Sequence, residues 1–292
     1  MNETEINWTD YTWNPMSGCT VIAPECKYCY AETLAENKRG TAGFPRGFDP
    51  MTRPHKLGEP RKLYNRLGRG ALIFVNSMSD IFHDAFDDNY RDEVFDVMRE
   101  YDMHRYQVLT KRIDNALRYF ETREVPRSVW MGVTCGHSSR LWTVDRLKNM
   151  RELGARVLFV SAEPLLSDLA NDINARYLVG IDWLISGGES GNHFSNIDDD
   201  PAIADRALVQ RVKGSFVPRP DRVSWIRDLD ALCARNGTAH WFKQWGGTRP
   251  KSGGRKLDGR ELDGMPTELE GAMPDGGRAR PRGAQISLPV LQ

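Results

Sequence analysis

Short apolar runs, rich in β-branched and aromatic residues, recur along the chain and alternate with segments of helical periodicity. The runs that we predict to be strands are Ala71–Val75, Tyr106–Leu109, Val129–Val133, Val157–Val160, Trp183–Ile185 and His240–Phe242. Helical periodicity covers Asn89–Tyr101, Arg140–Leu153 and Ser224–Asn236, and Gly237 suits the end of the last helix. This regular alternation of strands and helices predicts parallel β/α units.

Polar or charged residues follow each predicted strand, and in a parallel barrel these C-terminal strand ends carry the chemistry. The phrases are Ser77–Asp80, Thr110–Arg112, Thr134–Gly136, Ser161–Pro164, Gly187–Gly191 and Lys243–Gly246. With a further strand near Tyr11–Trp13, we predict an α/β fold built as a full or partial β/α (TIM-like) barrel. An open doubly wound sheet would show the same alternation and remains the alternative.

Two parts of the chain break this rhythm. Residues 192–220 contain Asp198–Pro201 and end in Val217–Pro220, so we interpret them as an excursion inserted into the barrel. Beyond Gly246, glycine, proline and charged residues dominate, which predicts a partly flexible extension. The domain hypothesis is therefore a barrel over residues 1–247, including the insertion 192–220, and a C-terminal extension over residues 248–292.

Charge is balanced overall but not locally. The 292 residues include 40 basic and 40 acidic side chains, so net charge gives no general attraction to nucleic acid or to a membrane. Between residues 38 and 69, however, basic side chains clearly outnumber acidic ones, and Phe44, Phe48 and Tyr64 are interleaved with them. Cations and aromatic rings together suit phosphate contact and base stacking. A solvated basic loop, balanced by the acidic stretch Asp80–Asp102, is the alternative.

The N-terminus is acidic and polar, unlike a secretory signal, and no apolar run approaches the roughly 18 residues that a membrane span needs. We therefore expect a cytoplasmic protein with no membrane partner. Three of the five cysteines, Cys19, Cys26 and Cys29, fall in one short segment. A reducing compartment favours metal ligation by such a group over disulfide formation.

These cysteines form the pattern C-x6-C-x2-C. Thiolates suit zinc and iron–sulfur clusters, and three of them leave one position open. The open iron of a [4Fe–4S] cluster can chelate the amino and carboxylate groups of S-adenosylmethionine, and an electron passed through the cluster then releases a 5′-deoxyadenosyl radical. The alternatives are a zinc site with a distant fourth ligand, such as His55 or His83, and inert buried thiols.

Phrases spread over nearly the whole chain resemble those of bacteriophage and bacterial three-cysteine-motif proteins, a radical-SAM-like family of poorly known activity. They are Trp8–Asp10, Trp13–Ala31, Ser77–His83, Leu109–Arg112, Ser161–Leu166, Gly187–Gly191, Phe242–Gly246, Gly259–Arg260 and Met265–Pro266. The resemblance implies a barrel of the radical-SAM type with a [4Fe–4S] cluster and S-adenosylmethionine as cofactors. It also implies a low-potential electron donor, such as flavodoxin or ferredoxin, in a bacterial cell or a phage-infected host.

The resemblance extends to cofactor contacts. Tyr28 precedes the last cysteine, where radical-SAM enzymes carry an aromatic ring near the adenine. Gly187–Glu189 looks like the GGE phrase that binds the methionyl amino group in these enzymes, but here it follows a late strand. We therefore expect Asp80, with Ser77 and Ser79, to contact the amino group, and Glu189 to face the substrate or the ribose.

The remaining strand-end residues are candidates for substrate contact and catalysis. Lys111 and Arg112 suit the S-adenosylmethionine carboxylate or a substrate phosphate. Glu163 precedes Pro164, which restrains the backbone and can hold the carboxylate at the barrel mouth. Cys135 can give a hydrogen atom to a substrate radical, although free cysteines are often small buried hydrophobes. Solvated turn and helix-start charges are the simpler alternative for the charged residues.

Together these features predict a radical S-adenosylmethionine enzyme that modifies or repairs a nucleotide or a nucleic-acid base. The alternative is a non-enzymatic zinc or iron–sulfur module that binds nucleic acid.

Overall fold

The computed structural model describes Met1, residues 3–171 and residues 177–266. Its strands are β1 (Tyr11–Trp13), β2 (Met16–Ser17), β3 (Met51–Thr52), β4 (Leu72–Val75), β5 (Arg105–Thr110), β6 (Val129–Thr134), β7 (Val157–Ala162), β8 (Trp183–Ser186), β9 (Val209–Val212), β10 (Ser215–Pro218) and β11 (Ala239–Phe242). Its α-helices are α1 (Tyr30–Glu36), α2 (Glu59–Leu67), α3 (Asp88–Glu100), α4 (Ile113–Phe120), α5 (Trp142–Lys148), α6 (Pro201–Ala204) and α7 (Pro220–Asn236).

A seven-stranded sheet in the order β1-β4-β5-β6-β7-β8-β11 forms the frame of the protein. All pairings within it are parallel, and the sheet curls into a half-barrel. The prediction of a parallel β/α barrel is therefore confirmed in its partial form. The doubly wound alternative is wrong, because each new strand is added on the same side of the previous one and the strand order never reverses.

Large rings fill the concave face of the half-barrel. Alternate residues of a strand point to opposite faces, so one set of side chains meets inside the curl while the other packs against the helices. The concave cluster contains Trp8, Phe74, Trp130, Phe159, Trp183 and Trp241. Gly132 makes room for one of these rings, because a Cβ at this position would lie 2.4 Å from the ring of Phe159. This aromatic layer closes the base of the half-barrel.

The helices follow from local signals. Asp87 precedes α3 and its side chain accepts a hydrogen bond from the Tyr90 amide at 2.7 Å, a typical N-cap. Helix α7 ends at Gly237, which has φ of 67°, as predicted, but it begins at Pro220 because proline suits the first turn. The predicted helix over 140–153 is shorter, since short 3₁₀ turns flank α5 on both sides. None of the helices in the described ranges is long and apolar enough to cross a membrane.

The excursion over residues 192–220 contains a 3₁₀ turn at Asn192–Asn196, helix α6 and the antiparallel hairpin of β9 and β10. Beyond β11, residues 248–266 return along this last strand. The Phe242 amide donates to the Leu262 carbonyl at 2.9 Å, and the Trp183 indole donates to the Gly264 carbonyl at 2.8 Å. The rest of the extension, which the sequence predicted to be partly flexible, lies outside the described residues.

Candidate functional site

A cavity of about 420 Å³ opens at the C-terminal ends of the parallel strands. The concave-face rings of Trp8 and Phe74 contribute to its apolar wall, and side chains that end or follow β4, β5, β6 and β7 contribute its polar wall. The third wall is the segment from Cys19 to Cys29, called here the cysteine loop. Strand ends and cysteines therefore meet at one cavity.

Local backbone contacts fix the ends of the cysteine loop. Gly18, just before Cys19, has φ of +86°, and a Cβ there would lie 2.3 Å from the Asp49 carbonyl oxygen, so this position requires glycine. Cys26 ends a 3₁₀ turn that begins at Pro24, and Cys29 is the N-cap residue of α1. The two-residue gap thus spans the junction between two helical turns.

The thiols of Cys19, Cys26 and Cys29 are free, partly exposed and in contact with the same cavity. Across the described ranges, no group of three or more Cys, His, Asp or Glu side chains surrounds a position for a single metal ion. The three cysteines share a cavity wall without converging on one point, and their role as ligands stays a prediction.

Arg112, predicted to bind a carboxylate or phosphate, is buried beside the first cysteine. Its Nη1 donates to the Cys19 Sγ at 3.4 Å, and its Nη2 donates to the Thr20 Oγ1 at 2.8 Å. Burial and the nearby Asp80 carboxylate raise the pKa of Cys19, whereas the Arg112 guanidinium opposes that rise. Arg112 therefore supplies the positive charge that favours a thiolate at this position.

Asp80, predicted to contact an amino group, lines the cavity but has its oxygens occupied by protein donors. Thr110 Oγ1 donates to both carboxylate oxygens at 2.8 and 3.0 Å, and the Phe82 and Lys111 amides donate at 3.0 Å. The Arg112 Nη1 adds a contact at 3.3 Å. A carboxylate offers about four lone-pair sites. Asp80 therefore orients both the turn after β5 and the Arg112 side chain. Its oxygens can accept few further hydrogen bonds from a ligand.

Glu25, in the cysteine loop, docks that loop onto the end of β6. Its Oε1 accepts hydrogen bonds from the amides of Gly136 at 2.7 Å and His137 at 3.2 Å. A Cβ at Gly136 would lie 1.9 Å from the Pro164 carbonyl oxygen, so glycine is required for this close approach. This role could not be predicted from the sequence, because the partners of Glu25 are backbone groups far along the chain.

The excursion contacts the other side of the cysteine loop. Tyr28, predicted to lie near the adenine, stacks on His193 instead, and the Arg206 guanidinium lies 5.3 Å from the Tyr28 ring centroid. Arg206 also donates to the Pro24 carbonyl at 3.2 Å. Tyr28 therefore contacts the excursion, and it is not among the residues that line the cavity.

Glu189, predicted to face the substrate or the ribose, contacts both His193 and Arg206 of the excursion. It is buried, accepts two hydrogen bonds from Arg206 at 2.8 and 3.0 Å, and lies 3.5 Å from the His193 Nε2. Burial alone would raise the pKa of Glu189, but the hydrogen bonds from His193 and Arg206 outweigh it and hold this pKa below its ordinary value. Its carboxylate therefore holds Arg206 against the cysteine loop, outside the cavity wall.

The cavity also carries charges at its edge. Glu163 forms an ion pair with Lys243, which closes the wall between β7 and β11. Lys111 lines the cavity at the end of β5, and its carbonyl accepts a hydrogen bond from the Arg140 Nη2 at 2.7 Å. Both Glu163 and Lys111 thus line the cavity, and their roles in catalysis and ligand binding stay predictions.

Unsatisfied polar atoms cluster around the cavity. Four of the residues that line it have a buried side-chain oxygen with no hydrogen-bond partner in the described part of the chain: Glu25 Oε2, Asn76 Oδ1, Ser79 Oγ and Thr134 Oγ1. Ser77 also lines the cavity, but its hydroxyl is bonded to Asn14. Buried oxygens normally have partners. The cavity wall therefore fits a polar ligand that brings hydrogen-bond donors.

Cys135, predicted to donate a hydrogen atom, lies away from the cavity. It follows Thr134, which lines the cavity, and neighbouring residues of an extended chain point to opposite faces. Its side chain is fully buried in the hydrophobic cluster on the helix side, where burial raises the pKa of Cys135 to about 12. This environment is that of a core thiol, so the structure gives no support to the donor hypothesis.

The basic segment over residues 38–69 does not form one face at the cavity. Arg53 is buried and bonded to Ser17 and the Gly43 carbonyl. Helix α2 lies near the N-terminal strand ends: the Pro60 carbonyl contacts the His104 ring at 3.2 Å, just before β5. Helix α2 therefore lies away from the cavity, which opens at the other end of the sheet, and nucleic-acid binding by the basic segment stays a prediction.

Asn76, Thr134 and Ser161 line the cavity and were missed by the sequence analysis as individual site residues. The signal was available in principle. Alternation along β6 and β7 puts Trp130 and Phe159 on the concave face, and continuing the same register to the strand ends gives Thr134 and Ser161.

Comparisons with solved structures return spore photoproduct lyase. Its complex with a dinucleoside spore photoproduct matches with a TM-score of 0.52 at 11% identity, covering 78% of this chain and 74% of that one. A cysteine-to-serine mutant matches with a TM-score of 0.55 at 13% identity, and a double mutant with bound AdoMet and the dinucleoside with 0.53 at 12%, each covering 80% of this chain and 76% of that one. At sequence identities this low, the matches show that the fold is shared and nothing more.

No curated protein matches the chain. A family model described as "Protein of unknown function (DUF5131)" matches residues 3–217 and 214–267, which together span most of the sequence. The chain therefore belongs to this family of proteins of unknown function.

Proposed function

We propose that this protein is a radical S-adenosylmethionine enzyme that acts on a nucleotide or a nucleic-acid base. In this proposal Cys19, Cys26 and Cys29 hold a [4Fe–4S] cluster, and the adjoining cavity binds S-adenosylmethionine. The observation that carries the proposal is the presence of three free thiols on one cavity at the C-terminal strand ends of a radical-SAM-like half-barrel.

The donor set fits such a cluster. Three thiolates leave one position open, and each binds a different iron atom, so the thiols need not converge on one point. When bound, the cluster supplies the electron that cleaves S-adenosylmethionine and starts radical chemistry. The Arg112 guanidinium stabilises the thiolate form of Cys19 through a charge-assisted hydrogen bond.

Other cavity residues are candidates for holding S-adenosylmethionine and the substrate. Ser79 and Thr134 have unpartnered hydroxyl oxygens in the described ranges and suit polar groups of the ligand. Glu163 and Lys243 form an ion pair at the mouth of the cavity. This pair provides one negative and one positive group that can orient a substrate.

The substrate class is supported by two observations. One of the matching lyase structures contains both AdoMet and a dinucleoside spore photoproduct, so this fold holds both kinds of molecule. In this chain, the cavity edge at Lys111 continues to Arg140, whose guanidinium lies 4.9 Å from the ring centroid of the half-exposed Trp142. Cations beside an exposed ring suit phosphate contact and base stacking.

Anaerobic purification and reconstitution test the proposal. We expect about four iron and four sulfide per chain, a brown chromophore, and 5′-deoxyadenosine that forms only with dithionite or a flavodoxin or ferredoxin reducing system. The matched control replaces Cys19, Cys26 and Cys29 together by alanine. Bound zinc without a chromophore would instead support the nucleic-acid-binding module, and a cluster without S-adenosylmethionine cleavage would contradict the enzymatic activity.

A further inference from the structure

The unpartnered oxygens around the cavity have a common chemical character. Glu25 Oε2 and Asn76 Oδ1 can only accept hydrogen bonds in their usual forms, and the hydroxyls of Ser79 and Thr134 can accept as well as donate. Protein donors do not satisfy them in the described part of the chain. The wall is therefore rich in acceptors, and the complementary ligand group is one that carries several N–H donors.

Glu25 is the charged member of this set. The residue is 5% exposed, and its Oε1 already accepts the amides of Gly136 and His137. Its Oε2 has no hydrogen-bond partner, and Glu25 forms no ion pair with any other described residue. A buried carboxylate normally has a cation beside it, because the loss of hydration is otherwise uncompensated. Among the described residues, Glu25 therefore lacks the cation that normally accompanies a buried carboxylate.

Asp80 is the carboxylate that the sequence analysis favoured for binding an amino group, and its partners differ from those of Glu25. Asp80 accepts from Thr110, from two backbone amides and from Arg112, so protein groups already balance its charge. Glu25 is held in place by backbone amides alone and keeps one oxygen for other use. Of these two carboxylates on the cavity, Glu25 is the one with free capacity.

We propose that Glu25 binds the positively charged amino group of the ligand in the cavity. This assignment rests on the proposed function: the group is the amino group of S-adenosylmethionine, whose N–H donors match a carboxylate and a neutral acceptor such as Thr134, which ends the strand that Glu25 contacts. Because Glu25 directly precedes Cys26, the residue that recognises the ligand belongs to the same loop as the cluster ligands.

The test uses the variant Glu25→Gln, which keeps a carbonyl oxygen for the amides of Gly136 and His137 and removes the charge. Reconstituted, unreduced protein is titrated anaerobically with S-adenosylmethionine and with its deaminated analogue, in which hydrogen replaces the amino group. Binding is analysed for the fraction of chains that contain a cluster. Incomplete cluster incorporation therefore does not change the ratio between the affinity for S-adenosylmethionine and the affinity for the analogue. We expect Glu25→Gln to weaken S-adenosylmethionine binding roughly 10- to 100-fold and to change binding of the analogue by less than about twofold.

Glu93→Gln is the matched control, because it removes the same charge from an exposed position on α3 and should leave both affinities unchanged. Equal weakening with both ligands, or no weakening with either, overturns the role of Glu25 and leaves the proposed function intact. If the wild-type protein loads a cluster but binds neither ligand, both the role of Glu25 and the proposed function are overturned.

Discussion

The phenol ring of Tyr28 stacks on the imidazole of His193, with ring centroids 4.0 Å apart and planes 10° apart. Tyr28 belongs to the cysteine loop, whereas His193 belongs to the excursion that interrupts the barrel. Arg206 of the same excursion bonds to the Pro24 carbonyl and to Glu189. The excursion therefore acts as a clamp on the loop that carries the cysteines.

Loosening this clamp should make the bound cluster more labile. We expect His193→Ala to release iron to a chelator several-fold faster than the wild-type protein, because it removes a stacking contact of roughly 1 kcal/mol. The variant His193→Phe keeps a flat ring and should restore the slow rate. Iron release that is equally slow in His193→Ala would show that the stacking does not hold the loop.

The cysteines should differ sharply in their effect on iron content. Replacing Cys19, Cys26 or Cys29 by alanine removes a thiol from the cavity wall, so each variant should lose most of its iron and sulfide after reconstitution. Cys135→Ala and Cys233→Ala change only core thiols and should load normally. Iron and sulfide analysis of the five variants checks this, and normal loading of any of the first three would contradict its assignment as a ligand.

Glu189 should contribute stability in a pH-dependent manner. Its pKa is lower in the folded than in the unfolded chain, so its contribution is fully present above the unfolded value, about 4.3, and is lost as the pH falls through the folded value. Glu189→Gln should destabilise the protein by roughly 3 kcal/mol at pH 7. Urea unfolding should show this difference narrowing below about pH 4. A difference that stays constant down to pH 3 would contradict the ion-pair assignment.

Gly132 should be intolerant of even one extra carbon atom. Gly132→Ala would place a methyl group 2.4 Å from the Phe159 ring, which must move within a tightly packed aromatic layer. We expect a loss of about 1–3 kcal/mol in the free energy of unfolding. Gly58→Ala is the control, because a Cβ at Gly58 meets nothing within 4 Å. Comparable stability of the two variants would show that the layer adapts.

Nucleic-acid binding should depend on the cavity edge and not on α2. Lys111→Gln removes a cation beside the cavity, so we expect weaker binding of single-stranded DNA or RNA and a smaller salt dependence. Lys62→Gln removes the same charge from an exposed position on α2 and should have little effect. Titrations at several salt concentrations distinguish the two, and a larger effect of Lys62→Gln would show that binding depends on the basic segment instead of the cavity edge.

Much of the frame was predictable because it depends on local patterns. The strands β4 to β8 and β11 fall on the apolar runs, since each run must bury both faces of a parallel sheet. Five of the six polar phrases after the strands contribute to the cavity wall for a related reason: once the strands are parallel, their ends meet at one edge. The three clustered cysteines were visible from spacing alone.

The remaining features depend on contacts between distant parts of the chain. Asp80 is an obvious carboxylate at a strand end, but only the structure shows that Thr110 and Arg112 occupy it. Glu189 is likewise occupied by Arg206, and Glu25 looks like an unremarkable loop residue until β6 is placed beside it. Tertiary contacts decide which of these carboxylates is left without a protein partner and can bind a ligand. Neither composition nor residue spacing predicts those contacts.

The docking of the cysteine loop also fixes an order of events during synthesis. Glu25 bonds to a residue 111 positions later, and Arg206 reaches back 182 positions to Pro24. All three cysteines therefore leave the ribosome long before their loop can acquire its final partners. Throughout that interval the thiols are on an undocked segment, open to delivery of iron and sulfide and equally open to oxidation. The contacts between the excursion and the cysteine loop are therefore completed late in synthesis, and under the proposed function a cluster could be inserted before they form.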